Sequence, residues 1–170
     1  VYLNLMNLSQ KKTFHRILND DAYEERSGLI KLKDYTEIKK VVMCSGKIYY
    51  DLIQARETAK NDEVVFIRLE QLYPFPAKTL ANLLKNYENA EFIWCQEEPK
   101  NMGAWFFVDR KIEETLTLFK SKFKRPKYIG RDEAASPATG SYARHNEEQE
   151  NIVKKSLEIE NKKSKKQAAE

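Results

Sequence analysis

Four short apolar runs, rich in β-branched and aromatic residues, recur along the chain at residues 40–44, 64–67, 92–95 and 127–129. The stretches between them are amphipathic and long enough to form helices. In the clearest stretch, Leu80, Leu83, Leu84 and Tyr87 recur at positions i, i+3, i+4 and i+7, which form one face of a helix. Similar faces are predicted at 48–59 and 105–119. The alternation of strand and helix predicts one sheet covered on both faces, which is a three-layer α/β/α sandwich.

Local signals predict where the remaining elements lie. Residues 14–18 precede the first buried run and fit an edge strand. Pro76 suits the first position of the second predicted helix. Ser136 and Pro137 together form a good helix start, so a last helix is predicted from there to about residue 159, with Tyr142 among its apolar positions.

We therefore expect one domain over residues 13–159. Residues 1–12 are interpreted as a linker or an appended leader. Residues 160–170 carry no apolar face and are interpreted as a charged, disordered tail.

Composition excludes several classes of protein. The 30 Lys and Arg residues are interleaved with 26 Asp and Glu residues, so no basic stripe that could follow a phosphate backbone is present, and nucleic-acid binding is not expected. A membrane-spanning helix needs about 20 consecutive apolar residues, and the sequence contains no such run. Cys44 and Cys95 each lie inside an apolar run, which is typical of buried free thiols in a reducing compartment. We expect a soluble intracellular protein.

Polar residues follow the predicted strand ends, where open α/β sheets hold their ligands. The candidates for contact with an anion or a nucleotide are Ser45, Lys47, Arg68, Gln96, Arg131 and Ser136. An alternative has Arg68, Glu97, Glu98 and Arg131 pairing with each other to fasten loops at a subunit interface. Both interpretations remain open on the sequence.

Aromatic residues flank the same loops and suggest an interface. Tyr73 and Phe75, in a proline-rich loop, are the stronger candidates, together with Glu97 and Glu98. Core packing is the better interpretation for Trp105. Only two histidines occur, and His15 and His145 have no convincing catalytic partner in the sequence. No catalytic residue and no metal ligand is predicted.

Five segments of the chain resemble the C-terminal domain of the decarboxylating first component of the 2-oxoglutarate dehydrogenase complex. They are residues 14–18, 40–52, 64–76, 92–105 and 128–140. That family consists of thiamine-diphosphate enzymes of the tricarboxylic acid cycle. The resemblance implies a transketolase C-terminal-like sheet of five strands, four parallel and one antiparallel at the edge. It also implies a homodimer, a lipoyl-bearing succinyltransferase partner and, in some members, a regulator such as acetyl-coenzyme A or AMP.

The chain contains no Gly-Asp-Gly, the usual anchor of the metal and diphosphate. Thiamine diphosphate and Mg²⁺ are therefore expected to bind elsewhere in the full-length enzyme, and this chain alone is expected to be inactive. The expected location is the bacterial cytoplasm or the mitochondrial matrix. Two alternatives remain: a free-standing nucleotide or coenzyme A binding module, and the C-terminal part of a related thiamine-diphosphate enzyme.

Overall fold

A computed structural model describes residues 14–24 and 28–159 of the chain. The strands are β1 (Ile17–Leu18), β2 (Lys40–Cys44), β3 (Val64–Leu69), β4 (Glu91–Pro99) and β5 (Lys127–Arg131). The helices are α1 (Ile48–Ala59), α2 (Ala77–Leu84), α3 (Trp105–Leu116) and α4 (Tyr142–Leu157). Short 3₁₀ turns occupy Asp21–Tyr23 and Lys85–Tyr87.

The five strands form one sheet in the order β1-β3-β2-β4-β5. β1 pairs antiparallel with β3, and all other neighbours are parallel. The predicted five-stranded sheet with one antiparallel edge strand is confirmed. The predicted edge strand was too long, because only Ile17 and Leu18 pair with β3 while Phe14 is exposed.

Both faces of the sheet are buried, which explains the continuous apolar runs of its strands. Alternate residues of each strand point to opposite sides. On one side, Val41, Ile67 and Trp94 pack under α2 and α3. On the other, Val42, Phe66 and Cys95 pack under α1 and α4. The three-layer α/β/α sandwich is confirmed, and both cysteines are free and buried.

A buried ion pair joins the segment after β1 to the centre of the molecule. The Asp20 carboxylate accepts hydrogen bonds from the Arg56 guanidinium on α1, with one N–O distance of 3.1 Å. It also accepts from the backbone N–H of Phe66 on β3 at 2.7 Å and from that of Ala22 at 2.9 Å. Arg56 additionally donates to the Val64 carbonyl at 3.3 Å. The pair therefore ties three elements together.

The last helix begins later than predicted. Ser136 does not cap a helix, because its hydroxyl donates to the carbonyl of Ala138 at 2.7 Å and closes a local turn. The helix starts only after Gly140, where Ser141 adopts the extended backbone of a residue preceding a helix. Tyr142 is also not a core position, since it is 81% exposed.

Pro76, predicted as the first residue of the second helix, lies one position before it, because α2 begins at Ala77. The carbonyl of Pro76 accepts the first helical hydrogen bond, from the backbone N–H of Leu80. The predicted linker at 1–12 and the predicted tail at 160–170 lie outside the described residues, so both stay predictions. Within the described ranges, no helix has the length and apolar character needed to cross a membrane.

Candidate functional site

The carboxyl ends of the parallel strands carry a wide groove of about 600 Å³, which we call the edge groove. Its walls come from the β2–α1 turn, the loop after β3, the end of β4 and the start of α3. The lining residues are Ser45, Gly46, Leu72, Tyr73, Trp94, Gln96, Glu98, Gly103, Ala104 and Phe107. The groove thus lies where ligands bind to sheets of this topology.

Gln96, predicted to contact a ligand, is instead bonded within the protein. Its side-chain oxygen accepts from the indole N–H of Trp94 at 2.9 Å and from the backbone N–H of Trp105 at 3.0 Å. Its amide nitrogen lies 2.8 Å from the Met102 carbonyl oxygen and 3.2 Å from that of Pro99. The side chain therefore holds the turn between β4 and α3 closed, and its polar atoms are already engaged.

Gly103 permits this turn for two reasons. Its φ is +65°, a backbone conformation that side chains disfavour. A Cβ at this position would also lie 2.8 Å from the amide nitrogen of Gln96. The sequence Gln96 to Gly103 therefore folds as one unit that sets the floor of the edge groove.

The accessible part of the edge groove is mainly apolar. Tyr73 is 82% exposed and Phe107 on α3 is also exposed. Glu98 is the one carboxylate in the lining, and the lining includes no Lys or Arg. A surface of aromatic rings with a single anion suits packing against another protein surface better than binding a charged small molecule. Phe75, the other predicted interface residue, packs partly into the core.

A second cavity, of about 350 Å³, lies between the end of β5, the following loop and α4; we call it the α4 cavity. Arg131, Arg144 and Lys155 line it together with Glu133, Glu148 and other loop residues. Ser136, another predicted ligand contact, also lies here and is exposed. The predicted residues Arg131 and Ser136 therefore share one cavity, which is separate from the edge groove.

Arg131 and Arg144 converge on one carboxylate in the α4 cavity. Glu148 lies 3.4 Å from Arg131 and 2.9 Å from Arg144, and it accepts a hydrogen bond from the Thr139 hydroxyl at 2.8 Å. The Thr139 hydroxyl, and then the arginines, lower the pKa of Glu148 below its ordinary value. An anion entering this cavity would compete with Glu148 for the two guanidinium groups.

Lys47 lies at a third place, at the start of α1. It pairs with Glu97 at 3.6 Å and with Asp51 at 3.5 Å, and these two carboxylates raise its pKa. The side-chain amide of Gln149 on α4 donates to both acids, at 3.2 Å and 2.9 Å respectively. Glu97 thus joins β4 to α1 and α4 within the chain.

Arg68 lies apart from the other predicted residues, against α1. Its guanidinium carbon is 4.3 Å from the ring centre of Tyr49, and it donates to the Tyr50 hydroxyl at 3.3 Å. Its ion pair is with Glu70, at 3.7 Å. Arg68, Glu97 and Arg131 therefore each pair with a residue outside the set that the alternative interpretation joined together.

The six predicted ligand contacts are thus divided among four places: Ser45 and Gln96 at the edge groove, Arg131 and Ser136 at the α4 cavity, and Lys47 and Arg68 at separate ion pairs. Sequence reasoning missed Phe107, Thr139, Arg144 and Glu148. Phe107 was detectable as an apolar residue off the buried face of α3. Arg144 and Glu148 lie four residues apart in the predicted last helix, so their ion pair was detectable from the spacing. Thr139 was hidden, because the Ser136-Pro137 signal placed it inside that helix, whereas the helix begins at Tyr142.

Sequence comparison places this geometry in a family. Residues 3–157 match the family described as "2-oxoglutarate dehydrogenase C-terminal". The chain is 51% identical over 141 residues to the 2-oxoglutarate dehydrogenase E1 components of Brucella ovis, Brucella suis and Brucella anthropi. The chain belongs to the 2-oxoglutarate dehydrogenase C-terminal family.

The aligned region covers 83% of this chain but only 14% of each of those relatives. The family match begins at residue 3, inside the predicted linker at residues 1–12, and it includes the residues that line both cavities. Membership of the 2-oxoglutarate dehydrogenase C-terminal family confirms the resemblance seen in the sequence strings.

Proposed function

We propose that this domain serves a 2-oxoglutarate dehydrogenase first component as an assembly module, with the edge groove as its contact surface. The enzyme would decarboxylate 2-oxoglutarate oxidatively on thiamine diphosphate and pass the succinyl group to the lipoyl arm of its succinyltransferase partner. The names of the relatives support this activity. The exposed rings of Tyr73 and Phe107, around a groove whose floor is fixed by Gln96, support the assembly role.

Thiamine diphosphate and Mg²⁺ are proposed to bind in another part of that enzyme. A diphosphate-bound Mg²⁺ needs several oxygen ligands. Within the described ranges, no three His, Cys, Asp or Glu side chains come close enough to hold a metal ion together. The groove offers a single carboxylate, Glu98, and no cation for a diphosphate. The lining of the edge groove therefore does not suit a diphosphate that carries Mg²⁺.

Replacing Tyr73 tests the assembly role in the full-length enzyme. Tyr73→Ser removes the most exposed ring of the groove and should raise the dimer dissociation constant by roughly tenfold or more, as expected for an aromatic residue at the centre of an interface. Tyr142→Ser is the matched control, because Tyr142 is 81% exposed against 82% for Tyr73 and lies outside the groove. Sedimentation equilibrium measures both variants. Equal dissociation constants for the two variants would contradict the proposed contact surface.

A regulatory role is favoured by a separate observation, the three cationic side chains that line the α4 cavity. We propose that the phosphates of a nucleotide-type regulator, such as AMP or acetyl-coenzyme A, bind there. Such a ligand would raise the melting temperature, because ligand binding adds to the free energy of unfolding.

Arg144→Gln should remove most of that shift. Arg110→Gln is the matched control, since both side chains are 72% exposed and each pairs with one glutamate on its own helix. Absence of any shift with AMP, ADP or acetyl-coenzyme A would contradict the regulatory role. Three results together would favour the free-standing binding module instead. The ligand would raise the melting temperature of the chain, the chain would sediment as a monomer, and Tyr73→Ser would leave the dimer dissociation constant of the full-length enzyme unchanged.

A further inference from the structure

A basic segment between α3 and β5 is unexplained by either cavity. Residues 120–127 contain five cations, Lys120, Lys122, Lys124, Arg125 and Lys127, and no acidic residue. Leu118, just before them, is exposed. We call residues 118–125 the basic loop.

The basic loop is fixed to the body of the domain by every second residue. Phe119 and Phe123 pack against the core, and the ring of Phe119 lies edge-on to that of Phe92 with centres 6.3 Å apart. Ser121 is buried between them, where its hydroxyl donates to the Phe123 carbonyl at 2.6 Å. The backbone N–H of Lys122 donates to the carbonyl of Glu88 at 3.0 Å.

The alternating residues point outward. Leu118, Lys120, Lys122 and Lys124 are all exposed, while the residues between them are buried or half-buried. Because the backbone of the loop is anchored, less of its conformational freedom remains to be lost when a partner binds. The Lys122 amino group lies 5.9 Å from the ring centre of Phe123. The loop therefore presents an ordered cationic face with an aliphatic residue at one end.

The charges on this face are only partly balanced within the chain. Arg125 pairs with Asp109 at 3.1 Å, and Lys127 pairs with Glu91. In the part of the chain that the structure describes, no carboxylate oxygen lies within 4.0 Å of the amino groups of Lys120, Lys122 or Lys124. Three neighbouring positive charges thus remain for an external anion.

The basic loop lies at the amino end of β5, whereas the edge groove lies at the carboxyl ends of the parallel strands. The two surfaces therefore lie at opposite ends of the parallel strands. A partner at the basic loop could therefore bind while the edge groove is covered, and the two surfaces can be tested separately.

We propose that the basic loop is a docking surface for an acidic polypeptide segment. Three spaced ammonium groups suit carboxylates along an extended or helical chain, and Leu118 offers an aliphatic contact for an apolar residue of that chain. Nucleic acid fits less well, because Phe119 and Phe123 face the core and cannot stack on bases. The partner is thus a protein that carries a cluster of Asp or Glu residues interrupted by apolar ones.

The test measures binding of two synthetic peptides to the chain by isothermal titration calorimetry: a glutamate-rich peptide containing leucine, and a pure polyglutamate of equal length. We expect binding that weakens as salt rises from roughly 50 to 200 mM, since exposed charges are screened over that range. The variant Lys120→Gln/Lys122→Gln/Lys124→Gln should weaken binding about tenfold. Leu118→Ser should weaken the binding of the leucine-containing peptide and leave the binding of polyglutamate unchanged.

The matched control is Lys78→Gln/Lys100→Gln/Lys154→Gln, which removes three exposed lysines from α2, the turn after β4 and α4. It should change binding less than about twofold, since net charge alone acts weakly at a distance in salt. Melting temperatures confirm that every variant is folded. The proposal is overturned by equal losses in the two triple variants or by no binding to the unaltered chain. It is also overturned if a single-stranded RNA or an anionic lipid vesicle binds these lysines more tightly than either peptide.

Discussion

The ion pair between Asp20 and Arg56 is the residue-scale interaction with the largest expected effect on stability. Asp20→Ala leaves the fully buried guanidinium of Arg56 with only the carboxylate of Glu57, at 3.4 Å, and should lower the free energy of unfolding by about 3 kcal/mol in a urea titration. The double variant Asp20→Ala/Arg56→Met removes both charges. We expect it to be more stable than Asp20→Ala alone. The single variant Arg56→Met completes the comparison. If the double variant lost as much unfolding free energy as Asp20→Ala and Arg56→Met lose together, the two residues would not be a coupled pair.

Glu63 provides a prediction about pH. Lys33 and Lys39 each lie 2.7 Å from its carboxylate, and the hydrogen bond from Lys33 is the first cause that lowers its pKa. A lowered pKa in the folded state stabilises the protein above the ordinary carboxyl pKa of about 4.3, and this contribution is lost as pH falls through the folded value.

Glu63→Gln should therefore cost about 0.5–1 kcal/mol at pH 7, and the difference from the unaltered chain should shrink towards zero in acid. Denaturant titrations at several pH values measure this. Glu114→Gln, which breaks one more exposed pair with Lys111, should cost less. A Glu63→Gln difference that is independent of pH would argue against the ion pairs as its cause.

Two residues of the candidate site differ in how much could be predicted about them. The position of Gln96 after a buried run was predictable, because the apolar pattern ends at Cys95. The role of its side-chain amide was not predictable, since the backbone N–H of Trp105 reaches it only when the turn folds back. Ser136 shows the same limit, because a hydroxyl that could cap a helix instead closes a turn.

At the scale of elements, prediction succeeded where burial dominates. The strands β2 and β3 and the first half of β4 were found because both faces of the sheet are covered there, so their residues are mostly apolar. The edge strand β5 is only half-buried and was found from its short run at residues 127–129. The start of α4 was missed because Ser136-Pro137 is a strong local signal that tertiary contacts override. Arg131 bonds to Thr139 at 3.2 Å, and both contact Glu148, which holds the intervening loop in a non-helical path.

The turn between β4 and α3 yields a prediction from a series of glycines. Gly103→Ala combines a φ of +65° with a Cβ 2.8 Å from Gln96, and should cost about 2–3 kcal/mol of stability. Gly46→Ala has a φ of +79° but open space around its Cβ, so about 1 kcal/mol is expected. Gly140→Ala has neither feature and should be nearly neutral. Thermal unfolding would contradict this account of the turn if Gly103→Ala were no worse than Gly46→Ala.

At the scale of the whole molecule, long ordered strings of residues identified the family, while the alternation of apolar runs and amphipathic stretches predicted only an α/β domain. The strings are specific because they combine buried strands with the loops that follow them. The apolar groove and the charged cavity were not predictable, because they depend on which side chains of distant segments, such as Tyr73 and Phe107, are brought together. The cations of the basic loop can be read directly from the sequence, whereas the burial of the residues between them cannot.

That the chain does not carry a complete catalytic site by itself can be tested by measuring a rate. The 170-residue chain is supplied with 2-oxoglutarate, thiamine diphosphate, Mg²⁺ and an artificial electron acceptor, and acceptor reduction is followed. We expect a rate equal to that of a blank without protein. A rate above the blank that rises in proportion to the concentration of the chain, and is lost when the chain is unfolded, would contradict it.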